Sequence, residues 1–155
     1  NTESVIQYNR NILLRYQRAA LFCAGLFLPL AVTLTGQTST SVWDAIYTTS
    51  QASTGASLYE AACADCHGPE LEGGETAPAL AGPDFRWAWN GRSVGDLFER
   101  IRISMPEGRP RSMTRVEKAA VLAFMFSENG FPSGNGLLAD ETDILQAVRI
   151  DALQP

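Results

Sequence analysis

The residues of this chain best suited to chemistry lie in the pentapeptide CADCH, residues 63–67. C-x-x-C-H is the attachment signal for a c-type haem, in which each cysteine sulfur forms a thioether with one haem vinyl group. The spacing lets one helical turn present Cys63 and Cys66 to the same edge of the porphyrin. His67 then directs its imidazole at the iron as the proximal ligand. We therefore predict one covalently bound haem c.

Half of a zinc site is the competing interpretation of the same motif. A closed zinc site takes about four Cys or His ligands. Cys23 is the one remaining cysteine and lies far upstream in an apolar run, and His67 is the only histidine. Zinc would lack a fourth ligand of the usual kind, so the sequence favours haem.

A single histidine excludes bis-histidine ligation within the chain, which leaves methionine, lysine, water or an open position on the distal side. Met105 lies in a proline-bracketed loop, where a thioether can reach the iron and Pro106 stiffens the backbone. We predict Met105 as the distal ligand, with Met113 as the second candidate. Met125 is expected in the core, and Lys118, on the same helix, is not expected to bind iron. A thioether favours ferrous iron and raises the potential, which suits electron transfer.

The elements around the motif must position the haem. A helix is predicted over residues 53–66, where apolar residues recur at helical spacing. Gly55 and Tyr59 share one face of this helix, and the glycine would let a second helix approach closely. Gly68 and Pro69 are expected to end the helix just after the motif.

The following segment, residues 68–84, is rich in glycine and proline and is predicted to be a loop without regular structure. This loop would wrap the proximal face of the haem, with Pro78, Ala79 and Leu80 as contacts. A carbonyl near Pro78 is expected to accept a hydrogen bond from Nδ1 of His67 and so fix the orientation of the imidazole.

Three aromatic residues, Phe85, Trp87 and Trp89, follow that loop. We interpret them as a wall of the haem pocket rather than as a docking surface. Indole N–H and guanidinium groups are natural partners for haem propionates, so Trp89 and Arg92 are the candidates for that role.

Two further helices are predicted. Ser93 opens the first, which ends near Ser104, and its buried stripe is expected at Val94, Leu97, Phe98 and Ile101. A capping box at residues 114–117 starts the second, which runs to about Asn129 before a left-handed stop at Gly130. Its core positions are expected at Val116, Ala120, Ala123 and Phe124.

The N-terminal residues 1–36 contain an uncharged run, residues 19–36, behind Arg10, Arg15 and Arg18. A basic lead followed by an apolar core is typical of a secretory signal peptide. The run is also just long enough for a membrane-spanning anchor, which the upstream arginines would orient with the haem domain outside. Both interpretations remain open, and both place the haem on the periplasmic side, since c-type attachment takes place outside the cytoplasm.

The sequence predicts an all-α fold in four parts: residues 1–36, a linker or strap at residues 37–52, a haem domain at residues 53–130, and a tail at residues 131–155. The apolar cluster at residues 42–47 is expected to pack on the domain as a strap. The tail should contain one short helix at residues 141–148, capped by Asp140 or Thr142, and should also pack on the domain.

Charge limits the possible partners. The 155-residue chain carries a net charge of −5, which argues against nucleic acid as a partner. Acidic residues cluster around the attachment motif at Glu60, Asp65, Glu70, Glu72 and Glu75. Basic residues flank Met105 at Arg100, Arg102, Arg109, Arg111 and Arg115. These clusters are either solvated faces or the two poles of a dipolar carrier, whose basic rim around the distal haem edge would steer an acidic partner.

The helix before C-x-x-C-H, the Gly/Pro loop, Met105-Pro106 and the C-terminal helix together resemble the class I c-type cytochromes. The segments at residues 42–47, 89–92, 104–106, 129–132 and 148–150 are similar to cytochrome domains or subunits of quinoprotein (PQQ-dependent) dehydrogenases. The resemblance implies a small cytochrome c fold with thioethers at Cys63 and Cys66 and axial ligands His67 and Met105. The sequence contains no PQQ-binding domain, so a dehydrogenase partner would be a separate chain, and another membrane redox complex is the other possibility.

We predict a one-electron carrier that is not itself an enzyme and that passes electrons between a periplasmic or membrane-bound redox enzyme and a respiratory or photosynthetic chain component. A haem enzyme or gas sensor with an open distal site is the alternative. A structural or assembly subunit is a third hypothesis.

Overall fold

The framework of the fold is a pair of helices, α1 (Thr49–Ala62) and α5 (Arg115–Glu128), that pack against each other. The computed structural model describes residues 40–155. The predicted signal or anchor segment, together with Cys23, lies outside the described residues. Within residues 40–155, no helix combines the length and the apolar character needed to cross a membrane.

Helix α1 differs from its prediction at both ends. It begins at Thr49, inside the predicted linker, because the Thr48 hydroxyl caps it by accepting from the Gln51 N–H at 3.1 Å. It ends at Ala62, because Cys63 leaves the helical conformation at φ −127° and ψ −34°. A separate turn, α2 (Ala64–His67), carries the rest of the motif.

The predicted close approach at Gly55 is confirmed. A Cβ added there would lie 1.9 Å from the carbonyl oxygen of Ala120, so only glycine allows α1 and α5 to come this close. One turn further on, the rings of Tyr59 and Phe124 pack with their centroids 5.4 Å apart.

Helices α3 (Gly82–Trp89) and α4 (Val94–Ser104) follow the glycine-rich loop. The prediction of a loop to residue 84 was wrong at its end, since Pro83 in the first turn of α3 starts a helix rather than preventing one. The cap at Ser93 is confirmed as a capping box with Asp96. The stripe of α4 is buried at Val94, Leu97 and Phe98, and half-buried at Ile101.

A short 3₁₀ helix, Pro110–Ser112, precedes α5, whose capping box at Thr114 and Glu117 is confirmed. Ala120 and Ala123 are buried as predicted, and Phe124 is half-buried. Val116 was assigned to the core wrongly: it is 65% exposed, because it lies in the first turn and the buried face begins only at Lys118.

The residues before α1 form the predicted strap. A 3₁₀ helix, Val42–Asp44, places Val42 in the core. The Tyr47 hydroxyl donates to the carbonyl of Phe131 at 2.6 Å, and Trp43 Nε1 donates to the carbonyl of Asp151 at 2.9 Å. Both bonds join the strap to the tail.

The tail packs on the domain as predicted, through Leu138, Leu145, Val148, Ile150 and Ala152. Its helix α6 (Thr142–Leu145) is shorter than expected, and neither Asp140 nor Thr142 caps it: Glu141 holds the N-cap position without a side-chain hydrogen bond. The Thr142 hydroxyl instead bonds Glu99 and Arg115.

After α6, β2 (Val148–Arg149) pairs in parallel with β1 (Thr40–Ser41). The described fold is therefore mostly helical, with one short pair of strands, rather than all-α.

Candidate haem site

A cavity of about 1010 Å³ opens between the attachment turn, which comprises Cys63 and α2, the glycine-rich loop, α4 and α5. Its volume is at the upper end of the range for small-molecule and cofactor sites, ~300–1,000 Å³. Eight of the side chains predicted for the site line it: Cys63, Cys66, His67, Pro78, Leu80, Trp89, Arg92 and Met105. Ala79, also predicted as a haem contact, does not line it.

His67 is the last residue of α2, is buried, and has Nδ1 2.8 Å from the carbonyl oxygen of Pro78. A carbonyl only accepts, so Nδ1 carries the proton, and in the neutral imidazole Nε2 is then the nitrogen with a free lone pair, which can bind a metal. The predicted hydrogen bond is therefore confirmed. It fixes both the tautomer and the orientation of the ring.

The loop after His67 is held by its own backbone. The Gly73 N–H donates to the His67 carbonyl at 2.7 Å, and the Leu80 N–H donates to the Leu71 carbonyl at 2.8 Å. A Cβ at Gly73, whose φ is +81°, would lie 2.5 Å from the nitrogen of Ala79. This packing brings the Pro78 carbonyl to His67.

The two cysteines of the attachment turn differ in exposure. Cys63 is half-buried and Cys66 is exposed, and both are free thiols that face the cavity. Burial raises the pKa of the Cys63 thiol, and the nearby Cys66 raises it further. Two thiols and a buried imidazole on one turn, beside a cavity of this size, fit a covalently attached haem.

Tyr59 anchors the attachment turn from α1. Its hydroxyl donates to the carbonyl of Gly68 at 2.6 Å, and it is 1% exposed. Burial raises the pKa of Tyr59 to about 12, with smaller contributions from Cys63 and Glu72. The phenol is therefore a neutral donor, and the end of α2 is tied to the helix that packs on α5.

The three methionines occupy different surroundings. Met105 is the C-cap residue of α4, has an extended backbone, and lines the cavity without belonging to the core. Met113, the second candidate, packs against the core and does not line the cavity. Met125 is 1% exposed and belongs to the core, although it also lines the cavity.

The aromatic wall was predicted wrongly in two of three positions. Trp89 lines the cavity, but Phe85 is buried in the core and Trp87 is 59% exposed. Helical geometry explains Trp87: Phe85 and Trp89 are four apart and share one face of α3, and Trp87 between them points away. On that shared face Phe85 belongs to the core, and only Trp89 reaches the cavity. The Arg92 guanidinium lies 5.1 Å from the centroid of the Trp89 ring.

Sequence reasoning missed residues that support the site. Asn129, 5% exposed, donates through Nδ2 to the carbonyls of Leu80 and Met125 at 2.9 and 2.8 Å, and its Oδ1 accepts from the Gly82 N–H at 3.1 Å. Asn129 thus ties the end of α5 to the end of the glycine-rich loop. The sequence signal for this role is an asparagine just before a glycine at a helix end, which by itself indicates no more than a helix stop.

The tail also reaches the site. Gln146 lines the cavity and bonds Ser93 at 2.6 Å. The Gly91 N–H donates to the carbonyl of Ile150 at 2.7 Å, and the Ile150 N–H donates to the carbonyl of Arg92 at 2.9 Å. These bonds hold the segment that carries Arg92.

The zinc interpretation has no support within residues 40–155, where no three His, Cys, Asp or Glu side chains come together in a group that could hold a metal ion. Comparison with protein families matches residues 50–125 to the model described as cytochrome c oxidase, cbb3-type, subunit III. No curated protein and no solved structure gives a significant match. Residues 50–125 thus form a c-type cytochrome domain, which binds haem c covalently and serves electron transport.

Proposed function

We propose that this protein is a one-electron carrier with a cytochrome c fold whose haem iron is held by His67 and Met105. The observation that carries the proposal is the position of Met105, which faces the same cavity as His67 and, unlike Met113 and Met125, is not committed to core packing. A thioether opposite an imidazole favours ferrous iron and suits electron transfer.

The other residues of the cavity have distinct roles in this proposal. Cys63 and Cys66 form the thioethers, and Leu80 contacts the proximal face. The Pro78 carbonyl orients His67 by accepting a hydrogen bond from its Nδ1–H, with 2.8 Å between nitrogen and oxygen. Trp89 and Arg92 bind the propionates by charge-assisted hydrogen bonds. The haem supplies the ferric/ferrous couple, and the protein sets its potential and access.

Optical spectroscopy and carbon monoxide binding test the proposal. The ferric holoprotein should show the weak long-wavelength band of thioether-bound iron, and the ferrous protein should bind carbon monoxide slowly at neutral pH. Rapid binding would favour the alternative, a haem enzyme or gas sensor with an open distal position. A haem that neither titrates reversibly nor turns over with a redox partner would favour the structural or assembly subunit.

The domain acts on the periplasmic side of the membrane in this proposal, because c-type attachment takes place outside the cytoplasm. Two partner classes are supported by different observations. The flanking segments resemble cytochromes of quinoprotein dehydrogenases, and residues 50–125 match a family named for an oxidase subunit. A complex purified in mild detergent that contains PQQ would support the first class, and one that reduces oxygen would support the second.

Arginines near Met105 are the proposed docking residues for an acidic redox partner. Arg102 and Arg115 are engaged within the chain, by Glu99 and by the carbonyl of Asp140. Arg100, Arg109 and Arg111 are exposed. Transient redox interfaces bury less than ~1,200 Å², so charge steering would govern encounter more than contact area.

A further inference from the structure

Lys118 is the only lysine of the chain, and it is buried at 2% exposure. All other permanently cationic side chains are arginines. Burying an ammonium group is unfavourable unless its donors are satisfied. Desolvation lowers the pKa of Lys118, and the charge of Arg102 lowers it further. A position this costly needs a structural or functional reason.

The three donors of the Lys118 ammonium all go to backbone carbonyls. Nζ lies 2.9 Å from the carbonyl oxygen of Arg102, 2.5 Å from that of Pro110 and 3.4 Å from that of Ile101. The Arg102 carbonyl lies in the last turn of α4, where carbonyls lack intrahelical partners and form the negative end of the helix dipole. It needs a donor from elsewhere, because the residue four positions on is Pro106, which has no N–H.

These acceptors lie on both sides of the loop that carries Met105. Arg102 belongs to the last turn of α4, and Pro110 begins the 3₁₀ helix after the loop. Inside the loop, the Met105 N–H donates to the Ile101 carbonyl at 3.0 Å, and the Arg109 N–H donates to the Pro106 carbonyl at 3.0 Å. Lys118 joins the two ends of this loop to one point on α5.

We propose that Lys118 is a positioning residue that holds the Met105 loop at the cavity by bonding the carbonyls at both of its ends. Lysine suits this role because its compact ammonium presents three donors around one atom, whereas the guanidinium of arginine is a planar fork. Lys118 does not line the cavity and acts through the backbone. Its effect on the iron rests on the proposed ligation by Met105.

The test compares two variants of the full-length holoprotein. Lys118→Met keeps an unbranched side chain and removes the three donors. Leu138→Ala is the control, because it removes core volume from a residue of the tail that lies outside the cavity lining. In Lys118→Met, amide hydrogen exchange across residues 103–112 should accelerate about tenfold or more relative to Leu138→Ala. Equal exchange across that segment in both variants would overturn the proposal.

Carbon monoxide binding to the ferrous protein separates this proposal from the one on which it rests. Lys118→Met should bind carbon monoxide about tenfold faster than wild type, because a loosened loop releases the thioether more often. If wild type and Met105→Ala bind it equally fast, Met105 is not the ligand and the proposed function fails. The exchange comparison still judges the role of Lys118 in that case.

A measurement on the wild-type holoprotein keeps the proposal testable if Lys118→Met does not fold. As the only lysine, Lys118 can be followed alone by mass spectrometry of its acetylation. Its reaction with acetic anhydride should be at least about tenfold slower than that of a lysine in an unstructured peptide, because the loop must open first. A reaction as fast as in the peptide would overturn the proposal.

Discussion

Gly55 on α1 lies directly against the backbone carbonyl of Ala120 on α5, at a distance that leaves no room for a Cβ. The contact sets how closely the two main helices pack. These helices carry the attachment turn at one end of α1 and two cavity residues, Val121 and Met125, on α5. The spacing of one helix pair therefore bears on the shape of the haem cavity.

Gly55→Ala should lower the free energy of unfolding of the holoprotein by about 2–3 kcal/mol, because the neighbouring atom is backbone and the helices must separate. Chemical denaturation followed by circular dichroism measures the change. Ser57→Ala is the control, since Ser57 is exposed on the same helix. Equal stabilities of the two variants would show that the helices adjust to a methyl group without cost.

Met105→Ala should abolish the long-wavelength ferric band, lower the reduction potential and open the iron to carbon monoxide. Removing the thioether removes the ligand that favours ferrous iron. Spectroscopy and a redox titration of the holoprotein measure these effects. Met113→Leu and Met125→Leu should leave the band in place, because neither residue is the proposed ligand. Loss of the band in one of those variants, with retention in Met105→Ala, would reassign the ligand.

The local features of this site could be predicted because each depends on residues close in sequence. The attachment motif, the bond from His67 to the Pro78 carbonyl and the caps at Ser93 and Thr114 all involve short separations. Gly55 was predictable because a glycine on the packed face of a helix indicates close approach.

Features that join distant segments were not predictable in the same way. The acceptors of Lys118 are backbone carbonyls on another element, which no side-chain pattern reveals. The pairing of β1 with β2 rests on two residues in each strand, too few for a periodic signal. The exposed position of Trp87 follows from helix α3, which was not predicted because its first residues belong to the glycine-rich and proline-rich segment.

Reversing two exposed charges next to Met105 in sequence, Arg109 and Arg111, tests the proposed docking surface. The double variant Arg109→Glu with Arg111→Glu should slow reduction by an acidic redox partner at low ionic strength, because charge steering governs encounter. Stopped-flow kinetics across a salt series measures the effect, which should shrink as salt screens the charges. The optical spectrum should not change.

The control for charge is the double variant Arg86→Glu with Arg149→Glu, since neither residue belongs to the arginines that flank Met105. It changes the net charge equally at other positions, and its stability is measured alongside, because Arg149 pairs with Asp151 at 3.2 Å. If it slows the reaction as much as the first variant, net charge alone explains the effect. In that case, Arg109 and Arg111 do not define the docking face.

Acid should destabilise the protein partly through the cap of α5. Hydrogen bonds from the backbone and side chain of Thr114 hold the pKa of Glu117 below its ordinary value of 4.5. A carboxylate whose pKa is lower in the folded state contributes stability above the unfolded pKa and loses that contribution as pH falls through the folded pKa.

The free energy of unfolding should therefore decline with pH below about 4.5, and Glu117→Gln should flatten part of that decline. Denaturation curves between neutral pH and pH ~3 measure it. An unchanged slope in Glu117→Gln would mean that other carboxylates, such as Asp96 and Glu99, whose pKa values are also lowered, account for the acid sensitivity.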